Sequence, residues 1–194
     1  MKAILDSVRA QVAESVRVKE ALLQDESLLQ QIAALAQLLV DTYRAGGKSL
    51  WAGNGGSAAD AQHMAAELVN KFRLVRRGLP AQALTVDSSI LTAIGNDYGY
   101  EQVFARQIIA CGRPGDVFIG ISTSGNSANL VQALEACRHQ GLVSVAIVGA
   151  SSCAMDAYNH VLHIPSTDTP RIQECHTLVG HILCQEVERA LFGM

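Results

Sequence analysis

The sequence predicts an α/β fold in which a five-stranded parallel sheet is flanked by helices and preceded by a helical hairpin. After residue 48, five short apolar runs alternate with longer stretches of helical periodicity. Strands that alternate with helices are typical of right-handed crossovers, which build a parallel sheet covered on both faces. The chain contains no internal repeat and no linker-like tract, so we expect one domain over residues 1–194.

Residues 1–46 are predicted to form the hairpin. Its helices are expected at 2–24 and 27–44, with Asp25 and Ser27 available as caps between them. Apolar residues recur at three- and four-residue steps, which places them on one face of each helix. They are Ile4, Val8, Val12 and Val16, then Leu28, Ile32, Leu35, Leu39 and Tyr43. This apolar stripe could pack on the chain's own sheet or against another subunit, which would make an oligomer.

The predicted strands are apolar runs of strand length, several of them rich in Val and Ile. They are 49–52, 81–86, 116–121, 142–148 and 160–164. The helices between them are predicted at 58–73, 88–95, 101–110 and 127–140. A last helix is expected from Pro170 to Phe192, because proline suits the first turn of a helix.

Charge and composition exclude several classes of function. Lys and Arg number 15 against 18 Asp and Glu, a net charge of −3, and no basic run is present, so nucleic acid is not an expected ligand. No secretory signal and no apolar stretch of membrane-spanning length is visible. Five cysteines, an odd number without a CxxC pair, favour a reducing cytoplasm. They are expected to be buried, with a catalytic thiol as the alternative.

Two polar loops follow predicted strands, where ligands bind in parallel sheets. Gly53–Ser57 joins a strand to a helix, and its glycines would let a ligand approach the backbone. Ser122–Ser127 holds four hydroxyl groups before another helix, and hydroxyls with free N–H groups can bind a phosphate. Simple capped turns are the alternative. Neither loop has a nucleotide-binding fingerprint, which disfavours NTP hydrolysis and dinucleotide binding.

A few ionisable residues could carry chemistry. His63 and Glu67 lie four residues apart and share one helix face, where they could bind a metal or transfer a proton, or form a solvated pair. His181 is surrounded by apolar residues, which also fits a core histidine. Asn96 and Asp97, expected after a helix, could bind sugar hydroxyls or form a turn.

In combination, these segments resemble the phosphoheptose isomerases, which are sugar isomerase (SIS) domain proteins. The matching motifs are GNGGSAADAQH at 53–63 with the HxxxE of His63 and Glu67, GNDYG at 95–99, STSGNS at 122–127 and RIQECH at 171–176. They occur in the family's order and cover almost the whole chain. The resemblance implies a single SIS domain with a five-stranded parallel sheet, and a homotetramer with active sites at subunit interfaces.

The resemblance also implies a reaction. Sedoheptulose 7-phosphate would be converted through an enediol into D-glycero-D-manno-heptose 7-phosphate, the first step toward nucleotide-activated heptose for bacterial lipopolysaccharide or capsule. Glu67 and His181 match the catalytic pair, and one zinc ion per subunit would be held by His63, Glu67, Gln173 and His181. The substrate-binding residues implied are Asn54, Gly55, Gly56, Ser57, Glu67, Asn96, Asp97, Ser122, Thr123, Ser124, Ser127 and Gln173.

One departure and two alternatives accompany the resemblance. Lys71 stands where some relatives carry Arg, and lysine meets an anion only as a point charge. A relative of these isomerases is a non-catalytic tetramer that binds the bacterial replication initiator, but it lacks matches to Glu67 and His181. A sugar-phosphate-sensing regulator would need a DNA-binding domain, for which 194 residues leave no room.

Overall fold

Five parallel strands among the described residues form one sheet. The structure is a computed structural model that describes residues 1–158 and 160–193. The strands are β1 Ser49–Gly53, β2 Ala81–Ala83, β3 Val117–Ile121, β4 Val143–Val148 and β5 His160–His163. Their order across the sheet is β2-β1-β3-β4-β5, and every neighbouring pair is parallel. The predicted fold class is therefore confirmed.

Seven α-helices surround the sheet in the described part of the chain. They are α1 Lys2–Gln24, α2 Glu26–Arg44, α3 Gly56–Val69, α4 Ser88–Tyr98, α5 Ala105–Cys111, α6 Ala128–Gln140 and α7 Thr169–Phe192. Two 3₁₀ turns lie at Tyr100–Gln102 and Ala154–Ala157. No helix within these residues is both long and apolar enough to span a membrane.

Several predicted boundaries were wrong. The second strand ends at Ala83 and not at 86, and the helix predicted at 101–110 is a 3₁₀ turn followed by α5. The helix predicted at 58–73 starts and ends earlier, as α3. Asn96 and Asp97 do not follow a helix; they lie in the last turns of α4. Local apolar spacing locates an element, but its ends depend on tertiary contacts.

The two N-terminal helices are joined by a capped turn, but they do not fold back on each other as the predicted hairpin. They follow α7 in the same direction, because Gln11 of α1 contacts Arg171 and Arg44 at the end of α2 contacts Ala190. The Asp25 carboxylate accepts a hydrogen bond from the Leu28 N–H at 3.0 Å, which satisfies an otherwise free donor at the start of α2. α2 buries its apolar face against the body of the protein, whereas α1 buries only Val18 and Leu22 among its described residues. The apolar stripe of the first half of α1 therefore remains exposed in this single chain.

Each face of the sheet is covered by its own apolar layer. Trp51 and the alternate residues of β3 face the helices α2, α3 and α7, and Phe118 faces α5 and α6 on the opposite side. Both aromatic side chains are fully buried. Burial of a large apolar side chain contributes roughly 1.5–3 kcal/mol, so these two layers fix the helices on the sheet.

The order of the strands determines where a ligand can bind. The chain leaves β1 toward β2 on one side, while β3 pairs with β1 on the other side. Adjacent strands whose connections leave in opposite directions open a crevice at their carboxyl ends. Gly53 is in register with Ile121, so the two polar loops begin side by side at this edge.

Candidate active site

The first polar loop joins β1 directly to α3. Gly55 adopts φ 55° and ψ −122°, a conformation that favours glycine, and the Ser57 N–H donates to the Asn54 carbonyl oxygen at 3.0 Å. Gly56 lies against α7, because a Cβ at this position would be 2.6 Å from Gln173 Nε2. Glycine at position 56 therefore lets the Gln173 amide approach the first turn of α3.

The second polar loop is folded by its own hydroxyl groups. Ser122 Oγ accepts a hydrogen bond from the Gly125 N–H at 3.1 Å and lies 3.3 Å from Ser127 Oγ. Ser124 Oγ accepts from the Asn126 N–H at 3.2 Å, and Gly125 takes φ +64°. One side of this loop lines a cavity of about 320 Å³. The lining comprises Thr123, Ser124, Asn126, Gly149, Ala150, Ser151, Ser166, Thr167, Thr169 and Ile172.

An asparagine pair joins the two loops. Asn54 Nδ2 donates to Asn129 Oδ1 at 2.9 Å, and Asn129 Nδ2 donates back to Asn54 Oδ1 at the same distance. The Tyr100 hydroxyl also donates to Asn54 Oδ1, at 3.4 Å. Because Asn129 is buried in the first turn of α6, this pair fixes the position of the first loop relative to the second. The sequence reasoning missed Asn129, since nothing in its local spacing distinguishes it.

Three ionisable side chains converge farther along α3. His63 Nε2 lies 3.1 Å from Glu67 Oε1 and 3.3 Å from His181 Nε2. One ligand atom from each of the three residues lies within 4.8 Å of the others. The two histidine rings meet edge to face, with centroids 4.9 Å apart. The four-residue spacing on α3 predicted that His63 and Glu67 lie together, and the packing of α3 on α7 brings His181 to them.

Contacts between α3 and α7 continue from the first loop to this cluster. Gly56 contacts Gln173, and the Thr177 hydroxyl donates a hydrogen bond to Asp60 Oδ1 at 2.7 Å. Farther along both helices, His63 contacts His181. Burial raises the pKa of the Asp60 carboxyl. The hydrogen bond from Thr177 and the nearby charges of His63 and His181 lower that pKa, but they only partly offset the effect of burial. The contacts advance in the same direction on both helices, so α3 and α7 run side by side from the polar loops to the cluster.

Comparison with known proteins agrees with this arrangement. Residues 12–149 match the SIS domain family. A phosphoheptose isomerase from Aneurinibacillus thermoaerophilus is 52% identical over 188 residues, covering 96% of this chain and 95% of that protein. Phosphoheptose isomerase 2 from Campylobacter jejuni is 53% identical over 187 residues, covering 96% and 93%.

The chain belongs to the phosphoheptose isomerase family.

A solved phosphoheptose isomerase from Neisseria gonorrhoeae also superimposes on the chain. Its TM-score is 0.89 at 41% identity, covering 95% of this chain and 98% of that one. The resemblance inferred from the motifs is thereby confirmed, and the chain is an isomerase. Membership of the phosphoheptose isomerase family favours an enzyme over the non-catalytic binding module.

The family-matched Asn96 and Asp97, and Lys71, which stands where some relatives carry Arg, lie apart from the histidine cluster. Asn96 and Asp97 are exposed on α4 and bond to each other, Nδ2 to Oδ1, at 2.8 Å. Lys71 is exposed just after α3 and forms no ion pair within residues 1–158 and 160–193. Within the single chain, these residues do not reach the cluster through any described hydrogen bond. Their place in a phosphoheptose isomerase site stays a prediction.

The alternative that His181 is a core histidine is wrong. His181 is half-buried, with its ring between His63 and Phe72, whereas the core histidine of α7 is His176, at 2% exposed. Burial lowers the pKa of His176 to about 4, so this ring is neutral near pH 7. One helix of the phosphoheptose isomerase fold thus carries a buried core histidine and a candidate site histidine.

The cysteines show no sign of activation. All five are free, and Cys137, Cys175 and Cys184 are buried. Burial is the largest influence on each thiol, and it raises the pKa of all five, to about 12 for Cys137 and Cys184. A raised pKa suppresses the reactive thiolate, which disfavours the alternative of a catalytic thiol in this phosphoheptose isomerase fold.

Proposed function

We propose that this isomerase converts sedoheptulose 7-phosphate into D-glycero-D-manno-heptose 7-phosphate. The observation that carries the proposal is the convergence of Glu67, His63 and His181 on the pair of helices that begins at the two polar loops. The relatives named phosphoheptose isomerase support the same substrate. An isomerase for a phosphorylated ketose needs a phosphate site and a proton-transfer pair, which the polar loops and the cluster can supply.

Proton transfer is assigned to Glu67 and His181. Ketose-to-aldose conversion removes a proton from C1, forms an enediol and returns a proton to C2. The Glu67 carboxylate acts as the base at carbon, and His181 exchanges protons with the substrate oxygens as its acid/base partner. The two residues approach from α3 and α7, and the His63–Glu67–His181 cluster is partly exposed, so they can act on a sugar bound over the cluster.

The phosphate is assigned to the second loop. Ser122, Thr123, Ser124 and Ser127 offer hydroxyl groups there, with Ser57 from the first loop nearby. Hydroxyls and N–H groups at a helix start can bind a dianion without any Arg or Lys. The residues assigned to the sugar are Asn54, Gly55, Gly56, Asn96, Asp97 and Gln173.

A zinc ion fits the cluster. His63 Nε2 faces both Glu67 Oε1 and His181 Nε2, and a single ring proton cannot serve two partners in different directions. Zinc–nitrogen bonds of about 2.0–2.1 Å at tetrahedral angles separate their ligand atoms by roughly 3.3 Å, close to the 3.1 and 3.3 Å seen here. Two imidazoles and a carboxylate are zinc ligands. Gln173 is proposed as a less usual fourth, although in this chain its amide lies against Gly56 at the start of α3.

The bound ion would stabilise negative charge on the substrate oxygens. A Glu67 oxygen held by the ion is less free to act as a base, so the second carboxylate oxygen has to face the substrate. Coordination through Nε2 would occupy that nitrogen of His181 and leave only Nδ1 to exchange a proton with the substrate, whereas the hydroxyls of the second loop do not depend on the ion.

A homotetramer with active sites between subunits completes the proposal. The apolar stripe of α1 is exposed, with Val8 at 50% and Val12 at 59%. None of the residues of α4 is buried, and this helix carries the proposed substrate-binding residues Asn96 and Asp97. Helices with exposed apolar faces gain stability by packing against another copy. Such packing would bring Asn96 and Asp97 to a substrate site.

The product is proposed to supply nucleotide-activated heptose for bacterial surface polysaccharide, lipopolysaccharide or capsule. The five free cysteines suit a reducing cytoplasm, where sugar phosphates are available. The substrate is a small phosphorylated sugar, so no nucleic-acid or membrane partner is required.

The test is turnover of sedoheptulose 7-phosphate in D₂O. We expect aldose phosphate carrying deuterium at C2 from the purified protein. Glu67→Gln and His181→Ala should each lower kcat by at least about 100-fold, in the range of lost acid–base catalysis. His139→Ala is the matched control, because His139 is exposed on α6 and pairs only with Glu135 and Arg138. Absence of both product and exchange from folded wild-type protein would refute the proposed substrate.

A further inference from the structure

A buried carboxylate on α7 holds the segment that follows α3. Glu188 is 0% exposed and lies seven residues beyond His181 on the same helix. Its oxygens accept hydrogen bonds from the N–H groups of Phe72 and Arg73 at 2.8 Å and of Leu74 at 3.1 Å. Burial raises the pKa of Glu188, but these N–H groups and Arg76 outweigh that effect and leave the pKa below its usual value. A charged group therefore anchors the turn at residues 72–74.

The same carboxylate fixes the end of the helix that carries Glu67. Arg76 Nε donates to Glu188 Oε1 at 2.9 Å, and only 2% of the Arg76 side chain is exposed. The Arg76 guanidinium also donates to the carbonyl oxygens of Glu67 at 2.9 Å and Leu68 at 2.6 Å. The last carbonyls of a helix have no partner within the helix, so Arg76 caps the final turn of α3. That final turn holds Glu67.

The anchored turn also reaches His181. The ring of Phe72 stacks on the His181 imidazole, with centroids 5.2 Å apart and planes 25° from parallel. The other side of the imidazole meets His63 edge to face. Since the Phe72 N–H is bonded to Glu188, the ring that confines His181 is placed by the same carboxylate.

We propose that Glu188 is a positioning residue that orients Glu67 and His181 together. Its effect on Glu67 passes through Arg76, and its effect on His181 passes through Phe72. Neither pathway touches the substrate, so Glu188 itself is not a catalytic residue. The inference rests on the catalytic roles proposed for Glu67 and His181, while the anchored turn is a feature of the fold and can be tested without activity.

The first test replaces the carboxylate. Glu188→Gln keeps the shape but puts an NH₂ group where an acceptor is needed, and Glu186→Gln is the matched control on the same helix, in an exposed pair with Arg189. Hydrogen exchange of the 72–74 amides should be at least about tenfold faster in Glu188→Gln and unchanged in the control. The value of kcat should fall at least about tenfold, with KM within about threefold, because misplaced groups slow chemistry more than binding.

The second test avoids a buried charge. Phe72→Leu keeps an apolar side chain but removes the stacking ring, whereas Phe72→Tyr keeps the ring. We expect Phe72→Leu to lower kcat about five- to tenfold and Phe72→Tyr to retain most of it, since stacking orients the imidazole. In the NMR spectrum, the His181 ring protons should lose the ring-current shift from Phe72 in the leucine variant and keep it in the tyrosine variant.

These measurements separate the two proposals. If the wild-type protein does not convert sedoheptulose 7-phosphate, the proposed substrate is wrong. Hydrogen exchange of the 72–74 amides and the NMR shift of the His181 ring protons then still decide whether the anchored turn exists. Unchanged amide exchange in Glu188→Gln overturns the anchor. Wild-type kcat in Phe72→Leu, or equal loss in the leucine and tyrosine variants, overturns the positioning role.

Discussion

His63 and His181 face each other through their Nε2 atoms at 3.3 Å, although 118 residues separate them in the chain. Two neutral imidazoles at this distance share at most one proton between them, and His63 also faces the Glu67 carboxylate. Such a grouping of lone pairs is favourable when a cation is present. The first prediction follows from this contact.

We expect the protein to bind about one zinc ion per chain through His63, Glu67 and His181, with Gln173 as the proposed fourth ligand. His63→Ala and His181→Ala should each weaken zinc binding by at least about tenfold, which metal analysis after dialysis against a competing chelator would measure. His139→Ala should retain the wild-type zinc content, because His139 lies on α6 outside the cluster. Equal zinc content in all three variants would contradict the assignment.

A second prediction concerns pH and the buried His176. Its pKa in the folded state is about 4, whereas an unfolded histidine titrates near 6.5, so the unfolded chain takes up the proton first as the pH falls. The free energy of unfolding should therefore decrease between about pH 6.5 and pH 4, by up to about 3 kcal/mol from this residue. Denaturant titrations of His176→Leu should show a shallower loss over this range than those of the wild type, and parallel curves would disprove the contribution.

A third prediction concerns the asparagine pair between the loops. Asn129→Asp preserves the shape but removes the donor to Asn54 Oδ1 and buries a carboxyl group. Loss of a buried donor costs about 1–3 kcal/mol, and part of that cost should appear as displacement of the first loop. We expect KM for the sugar phosphate to rise at least about fivefold, measured by steady-state kinetics. A variant with wild-type KM and kcat would show that the loops hold their position without the pair.

A fourth prediction concerns assembly through α1. Val12→Glu puts a charge in the exposed apolar stripe, whereas the neighbouring Gln11→Glu changes charge without removing apolar surface. Sedimentation velocity should show a smaller species for Val12→Glu than for the wild type, and the wild-type sedimentation coefficient for Gln11→Glu, because burying an unpaired carboxylate in an interface is costly. If Val12→Glu sediments as the wild type does, the α1 stripe is not the assembly surface.

The sequence predicted the number and kind of elements well, because periodicity of apolar residues is a local property. The five apolar runs became five parallel strands, and the first polar loop lies directly after β1, as expected from its glycines. Element ends were less certain: α4 extends through Asn96 and Asp97 to Tyr98, although Gly95 interrupts its helical pattern. A glycine inside a helix costs only about 1 kcal/mol, so α4 continues past Gly95 to Tyr98.

The sequence by itself determined the α/β class, the hydroxyl-rich loops and the His63–Glu67 pair, since each depends on residues close together in the chain. The family resemblance also grouped His181 with that pair, but residue spacing could not choose it over His176, because both lie on α7 and helix packing selects which one faces α3. Only the tertiary structure placed Glu188 beneath the turn after α3. Contacts between residues more than 100 positions apart leave no local periodicity, so no reading of spacing could have found them.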